Sequence, residues 1–290
     1  MSGINYPHKV AALDLHGMCR RIASHIGWVI IAIGAVVLVS WVFDIEAGKR
    51  ILPTFQSMKF NTALCFIACG FILKRKAPAA ASASDPVAAL LALFILVVSG
   101  LTLFEYGSGW QLGIDNLVIL DTATAPEDWP GRMSGAAALC FTMIGAAWLA
   151  IATPLHRSTM ILQILALAVI MISGAALIGY VFGVQQFRLS VFSTMALHTA
   201  VLFVLCGAGM LFVRPGDGLM YSAASSYIGG RSLRRLLPFI IVTPVLAGWL
   251  SPAGQLVGRS VEHLMPDRFR KGHTGFRSEY QRSPEQRMIG

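Results

Sequence analysis

Apolar residues in this chain gather in long uninterrupted blocks. Stretches without Asp, Glu, Lys or Arg run over 26–43, 86–104, 133–156, 158–187, 189–213 and 236–258, and Lys59 alone interrupts another over 51–73. Most reach the ~20 residues needed to cross the hydrocarbon layer of a bilayer. The pattern predicts seven transmembrane helices, roughly 26–44, 58–74, 87–105, 133–152, 160–182, 194–213 and 236–252. Lys59 is expected near an interface, where its long stem lets the ammonium group snorkel toward water. Pro238 suits the opening of the last segment, whereas Pro244 would kink it.

Within these blocks one helical stretch is written three times. Residues 58–70 read MKFNTALCFIACG, residues 133–145 read MSGAAALCFTMIG and residues 195–207 read MALHTAVLFVLCG. Each has Met at the first place, Ala at the sixth (Ala63, Ala138, Ala200), Phe at the ninth (Phe66, Phe141, Phe203) and Gly at the thirteenth (Gly70, Gly145, Gly207). On a helix turning ~100° per residue, Ala, Phe and Gly share an arc of about 60°. Small residues there permit close backbone approach by a neighbouring helix. The three copies open the second, fourth and sixth segments, so the repeat is a helical hairpin (26–74, 87–152, 160–213) and the shared arc is its packing seam.

Composition agrees with a polytopic all-α membrane protein: 56% of the 290 residues are hydrophobic and 13% charged, against about 25% charged in soluble chains. A net charge of +9 would suggest nucleic acid for a soluble protein, but the basic residues flank apolar segments, so no nucleic-acid partner is expected. With the N-terminus inside, Lys/Arg 9, 20, 21, 74, 75, 76, 157, 214, 231, 234 and 235 fall inside, and only 49, 50, 59, 132 and 188 outside. That bias predicts a cytoplasmic N-terminal segment, 1–25, and a first apolar run retained as an anchor. Cys65, Cys69, Cys140 and Cys206 lie in apolar runs, Cys19 lies in the N-terminal segment, and no CxxC pair occurs. Neither a disulfide nor a metal cluster is expected.

Several short stretches resemble a family: MKFNTALCF, LGID (112–115) followed by PGRM (130–133), MALHTA, RPGDGLM (214–220) and GGRSLRRLLP (229–238). They resemble the N-terminal multi-span sensor region of bacterial membrane proteins in which PAS modules and then histidine kinase or diguanylate cyclase domains follow. Residues 256–290 resemble the middle of a PAS domain, with Gly258, Leu264, Met265, Pro266, Arg268 and His273 at the matching places. The resemblance implies membrane-embedded signal input, dimerisation and an output domain. The tail, 253–290, supplies only a PAS fragment too short to bury a core by itself. The eighth span usual in the family and the early PAS strands are missing, as though residues 250 and 251 had been joined directly. Haem-binding members carry an iron-ligating His where this chain has Arg287, so no cofactor is expected.

Candidate chemistry is sparse. His198 occupies the fourth place of the third repeat, where the first has Asn61 and the second Ala136. An ionisable residue within a membrane segment is a functional candidate, although interhelical hydrogen bonding is the commoner role of His and Asn there. The long loop 105–132 holds Glu105, Asp115, Asp121, Glu127 and Asp128 with Trp110 and Trp129. It reads either as a cation- or ligand-sensing loop or as a solvated loop with interfacial tryptophans. The sequence carries no phosphoacceptor segment, cyclase loop or P-loop, so no enzymatic output is expected. The reading is an input module for a sensor kinase-type system, acting on another chain. The alternatives are a transporter or channel of parallel hairpin repeats, or a truncated, non-functional gene product. Transport is disfavoured because no charged side chain lies deep in a predicted span.

Overall fold

The computed structural model describes residues 7–51, 55–78, 85–122, 124, 129–152, 158–181, 195–224, 230, 232 and 235. Among them every regular element is helical: α1 (Pro7–Val42), α2 (Glu46–Lys49), α3 (Phe60–Lys76), α4 (Pro86–Ser108), α5 (Gly135–Ala152), α6 (Ser158–Val181), α7 (Leu197–Val213) and α8 (Gly218–Ala224). Four stretches are long and apolar enough to cross a membrane: Leu15–Val42, Pro86–Ser108, Gly135–Ala152 and Ser158–Tyr180. The described part of the chain is thus all-helical in its regular elements and of membrane character.

The count of seven spans is refined accordingly. Six predicted segments coincide with helices, but α3 and α7 have 17 residues each, and α3 ends on Lys74, Arg75 and Lys76. Both begin later than predicted because each motif Met precedes its helix, so that α7 is shortened and α3 is shifted. Met58, Met133 and Met195 stand one place before the residues that open the helical ladders, Lys59, Ser134 and Ala196. The segment 236–252 and the PAS-like tail, 253–290, lie outside the described residues. At the other end, α1 runs unbroken for 36 residues from Pro7, so most of the predicted N-terminal segment continues the first membrane helix.

Local chemistry explains several helix ends. Asp85 caps α4 by accepting from the Val87 and Ala88 N–H groups, with Pro86 in the first turn, where a missing N–H costs nothing. Arg75 holds the same carboxylate at 2.8 Å across the α3–α4 connection. Gly109 closes α4 in the left-handed conformation.

The three hairpins pack as α1 with α3, α4 with α5 and α6 with α7. They also pack in sequence, α3 with α4, α5 with α6 and α7 with α1, which closes the six helices into a ring. The helices α3, α5 and α7 contribute most of the buried core, whereas α1, α4 and α6 expose residues such as Val36, Leu90 and Met171. An apolar outer wall of that kind suits contact with lipid tails.

Candidate functional site

The centre of the ring is where the three repeats meet. Phe66, Phe141 and Phe203 are each 0% exposed and touch one another with ring centroids 4.8, 4.7 and 4.6 Å apart. Their interplanar angles of 55–64° belong to the tilted and edge-on arrangements favoured by the ring quadrupole. The repeated Phe is therefore a threefold plug on the axis.

The repeated Gly serves the wall of each hairpin. A Cβ on Gly70 would lie 2.6 Å from the Gly27 carbonyl oxygen, one on Gly145 2.9 Å from that of Ala92, and one on Gly207 2.9 Å from that of Ala166. These contacts place Gly27, Ala92 and Ala166 at one register on α1, α4 and α6. Fourteen residues further along each outer helix stands Trp41, Tyr106 or Tyr180. Trp41 Nε1 donates to the Met58 carbonyl at 2.8 Å, Tyr106 Oη to that of Met133 at 3.1 Å and Tyr180 Oη to that of Met195 at 2.7 Å. Each Met carbonyl lies outside the helical ladder and needs a donor in this apolar setting. Tyr180→Phe is expected to cost about 0.5–1.5 kcal/mol, read as a lowered thermal unfolding midpoint in detergent.

The loop between α4 and α5 carries the charged chemistry, in two clusters. In the first, Lys59 Nζ lies 2.6 Å from Asp121 Oδ2 and 2.7 Å from Thr124 Oγ1. The Thr124 hydroxyl donates to Asp121 Oδ2 at 2.8 Å, and the Gly131 N–H donates to the same oxygen at 3.0 Å. Burial alone would raise the Asp121 pKa, but Lys59, Thr124 and the Gly131 N–H outweigh it and hold it down at about 2. In the second, Arg132 Nε donates to Asp115 Oδ2 at 2.7 Å, and Arg132 Nη2 lies 3.2 Å from Glu105 Oε2. The guanidinium lies 4.6 Å from the Trp129 ring centroid and 5.3 Å from that of Tyr106. The Leu112 N–H donates to Glu105 Oε1 at 2.7 Å.

Gly131 joins the two clusters. Its φ of 76° is favoured by glycine, and a Cβ there would lie 2.6 Å from the Asp115 carbonyl oxygen. Asn116 braces the same turn, its Nδ2 donating to the Pro130 carbonyl and its Oδ1 accepting from the Asp121 N–H. A third basic residue, Lys49, is buried beside Trp41 and held by Asp44 and Glu46. A cleft of about 190 Å³ between Lys49, Trp41 and Asp121 has its ammonium group already paired.

The structure thus brings Glu105 and Asp115 together and places Asp121 apart from them on Lys59. The reading of this loop as solvated does not hold for these three carboxyl groups, whose side chains are at most 9% exposed. Glu127 and Asp128 lie outside the described residues. Lys59 does not snorkel to water, because its ammonium group has a buried partner. His198 and Asn61 belong to neither cluster: both ring nitrogens of His198 and Nδ2 of Asn61 are buried without a hydrogen-bond partner. The residues missed from the sequence are Lys59 and Arg132, which were weighed only as flanking charges, and the Trp41, Tyr106 and Tyr180 donors. The fourteen-residue register from Gly27, Ala92 and Ala166 is the signal that would have found the donors. No protein-family model, curated protein or solved structure matches this chain.

Proposed function

We propose that this protein is the membrane-embedded input module of a bacterial signal-transduction system of the sensor histidine kinase type, without catalytic output of its own. The observation that carries this reading is the axis filled by Phe66, Phe141 and Phe203. A transporter needs a polar binding site or path near mid-membrane, and three rings in mutual contact on the axis weigh against one. The alternative of a truncated, non-functional product is disfavoured by the coherence of the repeat, whose Phe, Gly and Met places each keep one structural role in all three copies.

In this reading the chain lies in the bacterial inner membrane with its N-terminus in the cytoplasm and loop 105–132 outside. Its partners are membrane lipids and either a second copy or a separate output protein. A stimulus at the outer loop shifts the hairpins, and the shift leaves through the arginine-rich segment 214–235 toward PAS modules. Gln163 supports that route. It is fully buried at the start of α6, donates to the Arg214 and Asp217 carbonyls, and accepts from the Leu219 N–H. Movement of α6 is thereby coupled to the chain leaving α7.

Two measurements test the reading. A reporter inserted after Arg235 is expected to be cytoplasmic, and an external location would overturn the topology. The full chain with a histidine kinase catalytic core inserted after Arg235 and placed in proteoliposomes is expected to alter autophosphorylation with the outer medium, without solute flux. Flux with constant kinase activity would favour the transport alternative.

A further inference from the structure

Glu105, Asp115 and Arg132 form a buried group with two negative charges and one positive. Glu105 is 1% exposed and Arg132 5% exposed, and the Asp115 side chain is 9% exposed. One oxygen of each carboxylate is well held, Glu105 Oε1 by the Leu112 N–H and Asp115 Oδ2 by Arg132 Nε. The other two, Glu105 Oε2 and Asp115 Oδ1, are buried with no hydrogen-bond partner. Arg132 Nη2 stands 3.2 Å from Glu105 Oε2, near enough for charge attraction but out of hydrogen-bond alignment. A buried acceptor without a donor is destabilising, and two ionised carboxylates can only accept.

We propose that Glu105 and Asp115 bind one proton between them and that this proton clamps loop 109–132 onto the end of α4, which makes the loop a sensor of external pH. The proposal rests on the signal-input reading and names its stimulus. A single proton adds one O–H donor where two buried acceptors lack one, and brings the group from a net charge of −1 to zero. Both carboxylates gather on the one guanidinium, Asp115 Oδ2 at Nε and Glu105 Oε2 beside Nη2. A divalent cation fits less well, because two carboxylates supply fewer oxygens than calcium requires and Arg132 already places a positive charge between them.

The other groups around the site fit this assignment. From α4 come Glu105 and Tyr106, and from the loop Asp115, Arg132 and Trp129, with the guanidinium near both rings. Beyond Gly131, Lys59 and Asp121 neutralise each other. Burial pushes the Asp115 carboxyl up, Arg132 draws it back and the Glu105 carboxylate raises it again, leaving it at about 6. The sign follows: a carboxyl raised above its unfolded value of about 3.9 stabilises the fold as pH falls through about 6, the gain being complete near the unfolded value. Above that range the Asp115 carboxyl gives up its proton, and the clamp loosens.

Infrared difference spectroscopy on the full chain in proteoliposomes, taken from about pH 8 down to 5, tests the site directly. The expected result is a protonated-carboxyl band rising with a midpoint near 6, lost in Asp115→Asn. In Glu105→Gln the remaining carboxylate pairs one to one with Arg132, so its midpoint should fall by at least one pH unit. This second variant keeps the test sharp should Asp115→Asn fold poorly. A wild-type chain with no carboxyl protonation above about pH 5 would overturn the proposal, as would a band unchanged in both variants. The kinase fusion followed over the same pH range separates the two readings. Constant kinase activity in a chain whose carboxyl band titrates would sink signal input and leave the proton site supported.

Discussion

Phe141→Ala is expected to destabilise the bundle by about 2–4 kcal/mol, toward the lower end of values for large-to-small core substitutions. The reasoning starts from the axis. Phe141 is 0% exposed and makes two of the three ring contacts in the triad, at 4.8 and 4.6 Å. Lipid tails are as apolar as the core, so the transfer component that dominates in water largely vanishes. What remains is the cavity left between three helices and the lost dispersion and quadrupole contacts, the latter worth about 0.5–1.5 kcal/mol per pair. Neighbours on all three inner helices are fixed by backbone contacts at Gly70, Gly145 and Gly207 and cannot collapse inward.

The triad also makes a prediction about coupling. Removing a second ring deletes only the one remaining ring contact, so Phe66→Ala in the Phe141→Ala background is expected to cost less than it does alone. Chemical unfolding of purified protein in mixed micelles measures both. Leu90→Ala, at a side chain 67% exposed on the outer wall, is the control and should change little. Equal losses at Phe141 and Leu90 would show that the axis does not hold the ring together.

Lys59→Met is expected to be the most damaging substitution outside the axis, at about 3–5 kcal/mol. Its ammonium group is the counter-charge of the Asp121 carboxylate, whose side chain is 1% exposed. Taking it away leaves a buried charge without its counter-ion, although Thr124 and Gly131 still donate to it. Asp121→Asn in the same chain should restore much of the loss, because a neutral amide needs no counter-ion. Limited proteolysis within 109–132, set beside global unfolding, separates a loosened loop from a weakened bundle.

The pH dependence of the same pair has a defined direction. The Asp121 pKa is depressed to about 2, so the stabilisation it supplies is present above the unfolded value of about 3.9 and is lost as pH falls from there toward 2. Lys59→Met removes the chief opposing influence to burial and moves that loss to higher pH. Asp115 acts in the opposite sense, its stabilisation growing as pH falls through about 6. Between about pH 6 and 4 the loop is therefore expected to be at its tightest.

The helical hairpins were legible in the linear pattern because a bilayer-length apolar block and a motif repeated in register leave little choice of element. Three copies of Met, Ala, Phe and Gly also pointed to a packing seam; the Gly places lie tight against a neighbouring helix and the Ala places are buried. Phe66, Phe141 and Phe203, however, read as part of the seam between hairpin partners. They meet instead across the axis, since three helices each bring one face inward and the ninth place lies on that face in all three. The aromatic donors were hidden for a different reason. Their partner is a backbone carbonyl, so Trp and Tyr serve equally, and no single residue type repeats.

The charged residues show where linear reasoning stops. Lys59 and Arg132 are one residue from motif Met58 and Met133, and counted along the chain they are merely basic residues flanking apolar blocks. Lys59 finds its partner 62 residues away, and Arg132 joins two carboxylates separated from each other by the end of α4. Sequence alone determined the membrane character, the helical elements and the threefold repeat, because those follow from hydropathy and local periodicity. The tertiary structure alone decided that the ring closes on a phenylalanine axis and that loop charges are buried together, because both depend on which distant surfaces are removed from water together.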